Sequence, residues 1–105
     1  MVGKTTVINE LKKFKQTLQK EIAVPKLILF GSVADGTANK DSDVDLIVVS
    51  PAFSKLNFFK RGALMYDYWK PLLPVDFLCF TPEEFEQRKK GATIVSHALK
   101  TGIVI

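Results

Sequence analysis

The chain has 105 residues but only one cysteine and one histidine. A single cysteine, Cys79, excludes a disulfide within the chain and leaves no multi-cysteine zinc site. It lies in the apolar run VDFLCF, where a lone cysteine reads as a small buried hydrophobe rather than a reactive thiol. No apolar stretch approaches the ~20 residues that span a bilayer. The first residues, MVGKTTVINELKKFKQ, are amphipathic and lack a signal-peptide core. A soluble, cytoplasmic protein without membrane contact is the expectation. No dense basic run is present either. Fifteen Lys and Arg against eleven Asp and Glu give a net charge of +4 and a pI near 9.3. That balance suits an anionic partner such as a nucleotide, though a modest excess of lysine often serves solubility alone. Direct nucleic-acid binding is not expected. Internal repeats, low-complexity tracts and linkers are also missing, so residues 1–105 read as a single domain. The composition is 47% hydrophobic, enough for one compact core and too much for disorder.

What is present alternates between two periodicities. Residues 5–21 carry Val7, Ile8, Leu11, Phe14 and Leu18 at helical spacing, with lysines between them and Thr5 or Thr6 as N-cap. Pro25 ends this helix. KLILF (26–30) and VDLIVVS (44–50) read as strands buried on both faces, and VDFLCF (75–80) as a third. Residues 54–72 form the longest helical candidate, rich in aromatics. Thr81-Pro82-Glu83-Glu84 is a helix-start signature, with Thr as N-cap, Pro at the first helical position and Glu at the third. That helix runs to about residue 90, Gly91 interrupts it, residues 92–100 resume it, and Gly102 caps it before the apolar tail 103–105. The order predicts an α/β fold with a small mixed sheet of three to four strands packed by helices.

The chemistry-bearing residues sit at strand ends. Gly31-Ser32 closes the first strand, and Asp43-Val44-Asp45 opens the second about ten residues later. Alternation along a strand puts Asp43 and Asp45 on one face. Adjacent carboxylates resist joint ionisation unless a cation neutralises them. Mg²⁺ suits such a pair, because it takes one or two carboxylates and completes its shell with water and phosphate oxygens. Asp76 interrupts the third apolar run, where a lone carboxylate would be costly to bury. Pairing of the second and third strands would bring it to the same cluster. Gly31 permits close backbone approach, and Ser32 offers a hydroxyl and an N–H suited to phosphate.

GSVADGTANKDSDVDLIVV followed by VDFL resembles the signature of the DNA polymerase β-like nucleotidyltransferase superfamily, and within it the minimal nucleotidyltransferases paired with HEPN-domain toxins. The resemblance covers nearly all of the chain from about Lys26. It implies a nucleotidyltransferase fold and maps the family's site onto Gly31, Ser32, Asp43, Asp45 and Asp76. It implies ATP as substrate, two Mg²⁺ on the three aspartates, and transfer of AMP to a hydroxyl. The implied acceptor is a tyrosine of a HEPN-type ribonuclease toxin, which makes the chain an antitoxin. A small-molecule acceptor, or a non-catalytic module that silences its partner by contact, are the alternatives. The family loop commonly carries arginine, as in GSRARG. Here the loop has Asp35 instead, leaving Lys40, Lys55, Lys60 or Arg61 to supply positive charge.

Other signals point to structure. Gly3-Lys4-Thr5-Thr6 imitates the end of a P-loop, but no upstream glycine or strand accompanies it. His97 reads as a surface residue of the last helix. The aromatics of residues 53–69 read mainly as core, some of them available to a partner or to a homo-oligomer. Glu83, Glu84 and Glu86 with Arg88, Lys89 and Lys90 read as a solvated helix face.

Overall fold

The computed structural model describes residues 3–39, 41–71 and 73–105. Helix α1 (Lys4–Gln19) leads into strand β1 (Lys26–Phe30), and the short helix α2 (Gly31–Asp35) follows directly. Strand β2 (Val44–Val49), a 3₁₀ turn (Pro51–Lys55), α3 (Phe58–Tyr68), β3 (Val75–Phe80), α4 (Pro82–Arg88), α5 (Ile94–Thr101) and β4 (Ile103–Val104) complete the chain. The sheet order is β3-β2-β1-β4. β1 runs antiparallel to β2 and β4, whereas β2 and β3 are parallel. The expected mixed sheet is therefore observed with four strands, the apolar tail supplying the last.

Because β1 and β2 are buried on both faces, each sheet face gathers its own core. Val7, Leu11, Phe14 and Leu18 of α1, with Met65 of α3, pack against Leu27, Leu29, Leu46 and Val48. On the opposite face Phe85 of α4 and Val95 and Ala98 of α5 cover Ile28, Phe30, Ile47, Val49 and Phe80. Phe14, Trp69 and Phe77 interlock at one side, with ring centroids 5.2–5.8 Å apart.

Two boundaries differ from expectation for local reasons. The helix expected over residues 54–72 is divided: Leu56 is extended, and the Asn57 side chain accepts from the Lys60 N–H to start α3 afresh. Its expected end, Leu72, lies outside the described residues. Helix α1 begins at Lys4 with Gly3 as N-cap and no side-chain cap, so neither Thr5 nor Thr6 serves. The Thr81 signature holds in full, as Thr81 and Glu84 form a reciprocal capping box with Pro82 at the first position. Gly91, at φ +75°, turns the chain between α4 and α5. Thr93 then caps α5.

Candidate active site

The end of β1 and the beginnings of β2 and β3 meet at one edge of the sheet. In register, Phe30 faces Asp45 across β1 and β2, and Asp45 faces Asp76 across β2 and β3. These three therefore form one row on one sheet face. Asp43 lies two residues before Asp45, and the next residue, Val44, donates its N–H to the Pro74 carbonyl at 2.8 Å. That bond ties the DVD segment to the start of β3. The strand pairing on which Asp76 depended is thus present.

Asp45 is half-buried, whereas Asp43 and Asp76 are exposed. Asp76 is not enclosed in apolar surroundings, as its position within VDFLCF suggested. β3 is an edge strand, and its first residues face solvent. The carboxyl of Asp45 is held above the ordinary carboxylate range, first by burial and then by the negative charges of Asp76 and Asp43. Asp76 and Asp43 therefore both act on Asp45 electrostatically. Among the described residues no three Asp, Glu, His or Cys side chains converge closely enough to enclose a metal ion.

Gly31 is fixed by this arrangement. It adopts φ +77°, which side chains rarely tolerate, and a Cβ there would run into the Asp45 carboxylate. Ser32 follows within the first turn of α2, whose N-terminus has no side-chain cap. Its first backbone N–H groups are thus of the kind that receive phosphate oxygens. At Gly31-Ser32 the chain thus passes directly from strand into helix.

Asp35 has a local occupation. Its Oδ1 accepts from the Thr37 N–H at 2.9 Å and the Thr37 hydroxyl at 2.6 Å, closing a turn after α2. Those bonds hold its carboxyl below the ordinary range, with smaller help from the charges of His97 and Lys4. The basic side chains expected to serve the loop stand elsewhere. Arg61 is buried, donating to the Phe53, Leu56 and Cys79 carbonyls and to both oxygens of Glu84. Lys55 and Lys60 lie at that same distant end of the sheet. Lys40 is outside the described residues. Lys4 and His97 instead stand near α2, brought there by the start of α1 and by α5. Sequence spacing gave no sign of this, since α5 reaches α2 only through tertiary packing.

Residues 9–101 match the family model for the nucleotidyltransferase domain. The chain belongs to the nucleotidyltransferase domain family. Among solved structures it resembles a protein of Sulfolobus solfataricus held to be a nucleotidyltransferase, at 19% identity and TM-score 0.65, over 87% of this chain and 89% of that one. It also resembles BolA1 from Arabidopsis thaliana, at 24% identity and TM-score 0.56, over 71% of this chain and 94% of that one. Both likenesses concern the fold alone, and a fold does not fix a function. Among curated proteins none matches the chain in sequence. This nucleotidyltransferase domain has no described helix long and apolar enough to cross a membrane.

Proposed function

We propose that this nucleotidyltransferase transfers AMP from ATP, with two Mg²⁺, to the hydroxyl of a tyrosine on a HEPN-type ribonuclease toxin, and so acts as a cytoplasmic antitoxin. The observation that carries the site is the row Asp45–Asp76 beside Gly31, with Asp45 resisting ionisation first through burial and then through the charges of Asp76 and Asp43. Such a cluster suits divalent cations, and Asp43, Asp45 and Asp76 are the residues that would hold them. Bound there, the ions would neutralise charge on the attacking and leaving oxygens of an in-line displacement.

The chain's own groups divide the remaining work. Ser32 and the first N–H groups of α2 receive the β- and γ-phosphates. Gly31 lets the phosphates approach Asp45 without a side chain between them. Asp76, exposed on the edge strand, is reachable by an acceptor that is itself a folded protein, and it orients or deprotonates the attacking hydroxyl. The hydroxyl oxygen bonds to the α-phosphorus, the bond from that phosphorus to the β-phosphate oxygen breaks, and pyrophosphate leaves. The hydroxyl proton passes to Asp76.

Contact-only silencing of the partner is favoured by one observation, the lack of a basic side chain on α2 itself. The two readings separate in one experiment. The protein is incubated with labelled ATP, Mg²⁺ and the protein encoded by its genomic neighbour, and that protein's mass is measured. A gain of one AMP, lost in Asp43→Ala with Asp45→Ala, is expected. Tight binding without a mass gain would replace transfer by contact. Transfer that survives the double substitution would remove the aspartates from the mechanism.

A further inference from the structure

Helix α3 has an outward face that the proposed chemistry does not use. Steps of about 100° per residue put Phe59, Ala63 and Tyr66 on one stripe with Gly62 beside it, while Arg61 and Met65 point into the protein. Phe59 is 86% exposed, Phe58 59% and Tyr66 51%. Between α3 and the edge of β3 lies a groove of about 210 Å³, walled by Phe58, Phe59, Tyr66 and Phe77 and floored by Gly62 and Ala63. An apolar cavity of about 150 Å³ already takes benzene, so the groove has room for one phenyl ring.

Gly62 is the informative residue. A glycine inside a helix costs roughly 1 kcal/mol relative to alanine. Yet a Cβ at Gly62 would meet nothing within 4 Å, so the fold itself does not require glycine there. What glycine supplies on an exposed helix face is close approach for a second backbone.

We infer that this face binds a second copy of the chain, through antiparallel packing of α3 on α3 about a two-fold axis at Gly62-Ala63. The stripe is self-complementary about that point. Phe59 lies three residues before Gly62, and Tyr66 three residues after Ala63. A two-fold axis therefore sets Phe59 of each copy against Tyr66 of the other, and Gly62 against Ala63. Tyr66 is already positioned for this, its hydroxyl donating to the Val75 carbonyl at 2.6 Å and its ring edge-on to Phe77 at 5.0 Å. Charge agrees with the same axis. Lys60 and Asp67 are exposed, two turns apart on one flank of the stripe, and among the described residues neither makes an ion pair. The two-fold places Lys60 of one copy beside Asp67 of the other, twice.

The area sets the strength. At about 200 Å² per aromatic side chain, the three exposed rings offer roughly 400 Å². A stable interface needs about 800 Å² per partner. The flanks supply part of the remainder, so the dimer is reversible and concentration-dependent. Asp45 and Asp76 lie on the other sheet face, and dimerisation leaves them open.

Sedimentation of the purified full chain, over roughly 10 µM to 1 mM, tests this. The expected result is a shift with concentration from one chain of 11.7 kDa toward twice that mass. Phe59→Asp should weaken association about thirtyfold or more, as loss of a central aromatic anchor does. Gly62→Leu should do the same while the monomer melts no lower. Lys60→Asp should weaken the dimer, and adding Asp67→Lys should restore it. Ala63→Cys should give a disulfide-linked dimer under mild oxidation, whereas Glu86→Cys on α4 should not. A chain that stays monomeric throughout and leaves Ala63→Cys unlinked overturns the inference, and the face then belongs to a different protein. A dimer indifferent to Phe59→Asp and Gly62→Leu overturns it equally, and moves the contact elsewhere.

Discussion

The two ends of the sheet solve opposite problems. At one end Asp43, Asp45 and Asp76 collect like charge, and Asp45 is held above its ordinary range by burial and by its neighbours. At the other end Arg61 is buried with each of its three side-chain nitrogens hydrogen-bonded, to three carbonyls and to Glu84 through contacts of 2.6 and 3.3 Å. Glu84 is held below the ordinary carboxylate range, chiefly by its hydrogen bond to Arg61. One end is electrostatically incomplete and the other complete. The complete end joins the 3₁₀ turn, α3, β3 and α4, and its stability lets the opposite end carry unfavourable charge.

The comparison can be broken most severely at the complete end. Arg61→Ala removes the cation and strands the Phe53, Leu56 and Cys79 carbonyls. It should cost about 3 kcal/mol, measured by urea unfolding, since a buried acceptor left unsatisfied costs about 1–3 kcal/mol. Three carbonyls are involved, whereas the Glu84 carboxylate keeps its contact with solvent. Arg61→Lys should recover only part, because an ammonium cannot fork between two carboxylate oxygens. The linkage has a definite sign. With Glu84 depressed in the folded state, its contribution is present above the unfolded value near 4.5 and is lost as pH falls through the folded one. The gap between wild type and Glu84→Gln should therefore narrow in acid.

Gly31→Ala comes next. Forcing a side chain into positive φ costs about 1–3 kcal/mol, and here the new methyl also displaces the Asp45 carboxylate. Thermal melts should show the loss, and nucleotide transfer should fall further than stability does.

The smallest effect has the opposite sign. Asp45 is raised in the folded state, so above the unfolded value of 3.8 its charge opposes folding, and stability declines as pH rises through the folded value. Asp45→Asn should raise the metal-free Tm at pH 7 by a few degrees, on the scale of ~4–8 °C per kcal/mol for a domain of this size. The gain should vanish below the ordinary carboxylate range. It should reverse in millimolar Mg²⁺, which stabilises only the chain that binds it. A Tm that falls in metal-free buffer would show that Asp45 is satisfied, and the contrast between the ends would disappear.

Strands β1 to β3, the Thr81 capping box, the Gly31 turn and the shared face of Asp43 and Asp45 were legible, because each depends on local pattern or on a strand's period of two. The strand made by the apolar tail, and the place of Asp76 beside Asp45, depend on strand order and were not. Buried Cys79 was legible from its apolar run, and burial pushes its thiol up to about 12. The Arg61–Glu84 pair was not. Glu84 sits in a charged helix that looks solvated, and Arg61 in an aromatic one, 23 residues apart, and only packing joins them. The break before α3 escaped notice because Asn57 acts as a cap only if Leu56 is already extended. Asp76 looked enclosed because its neighbours are apolar, and nothing local marks β3 as the strand at the sheet's edge.

That edge has one more consequence. Pro74 and Phe80 turn their carbonyls toward β2, so Val75, Phe77 and Cys79 present theirs outward. Two of those three carbonyls are already taken, Val75 by the Tyr66 hydroxyl and Cys79 by Arg61. Helix α3 thereby stops the sheet from growing. Chains that lose either side chain would offer an unfinished template to any extended strand nearby, and fibrillar aggregation would precede loss of the fold.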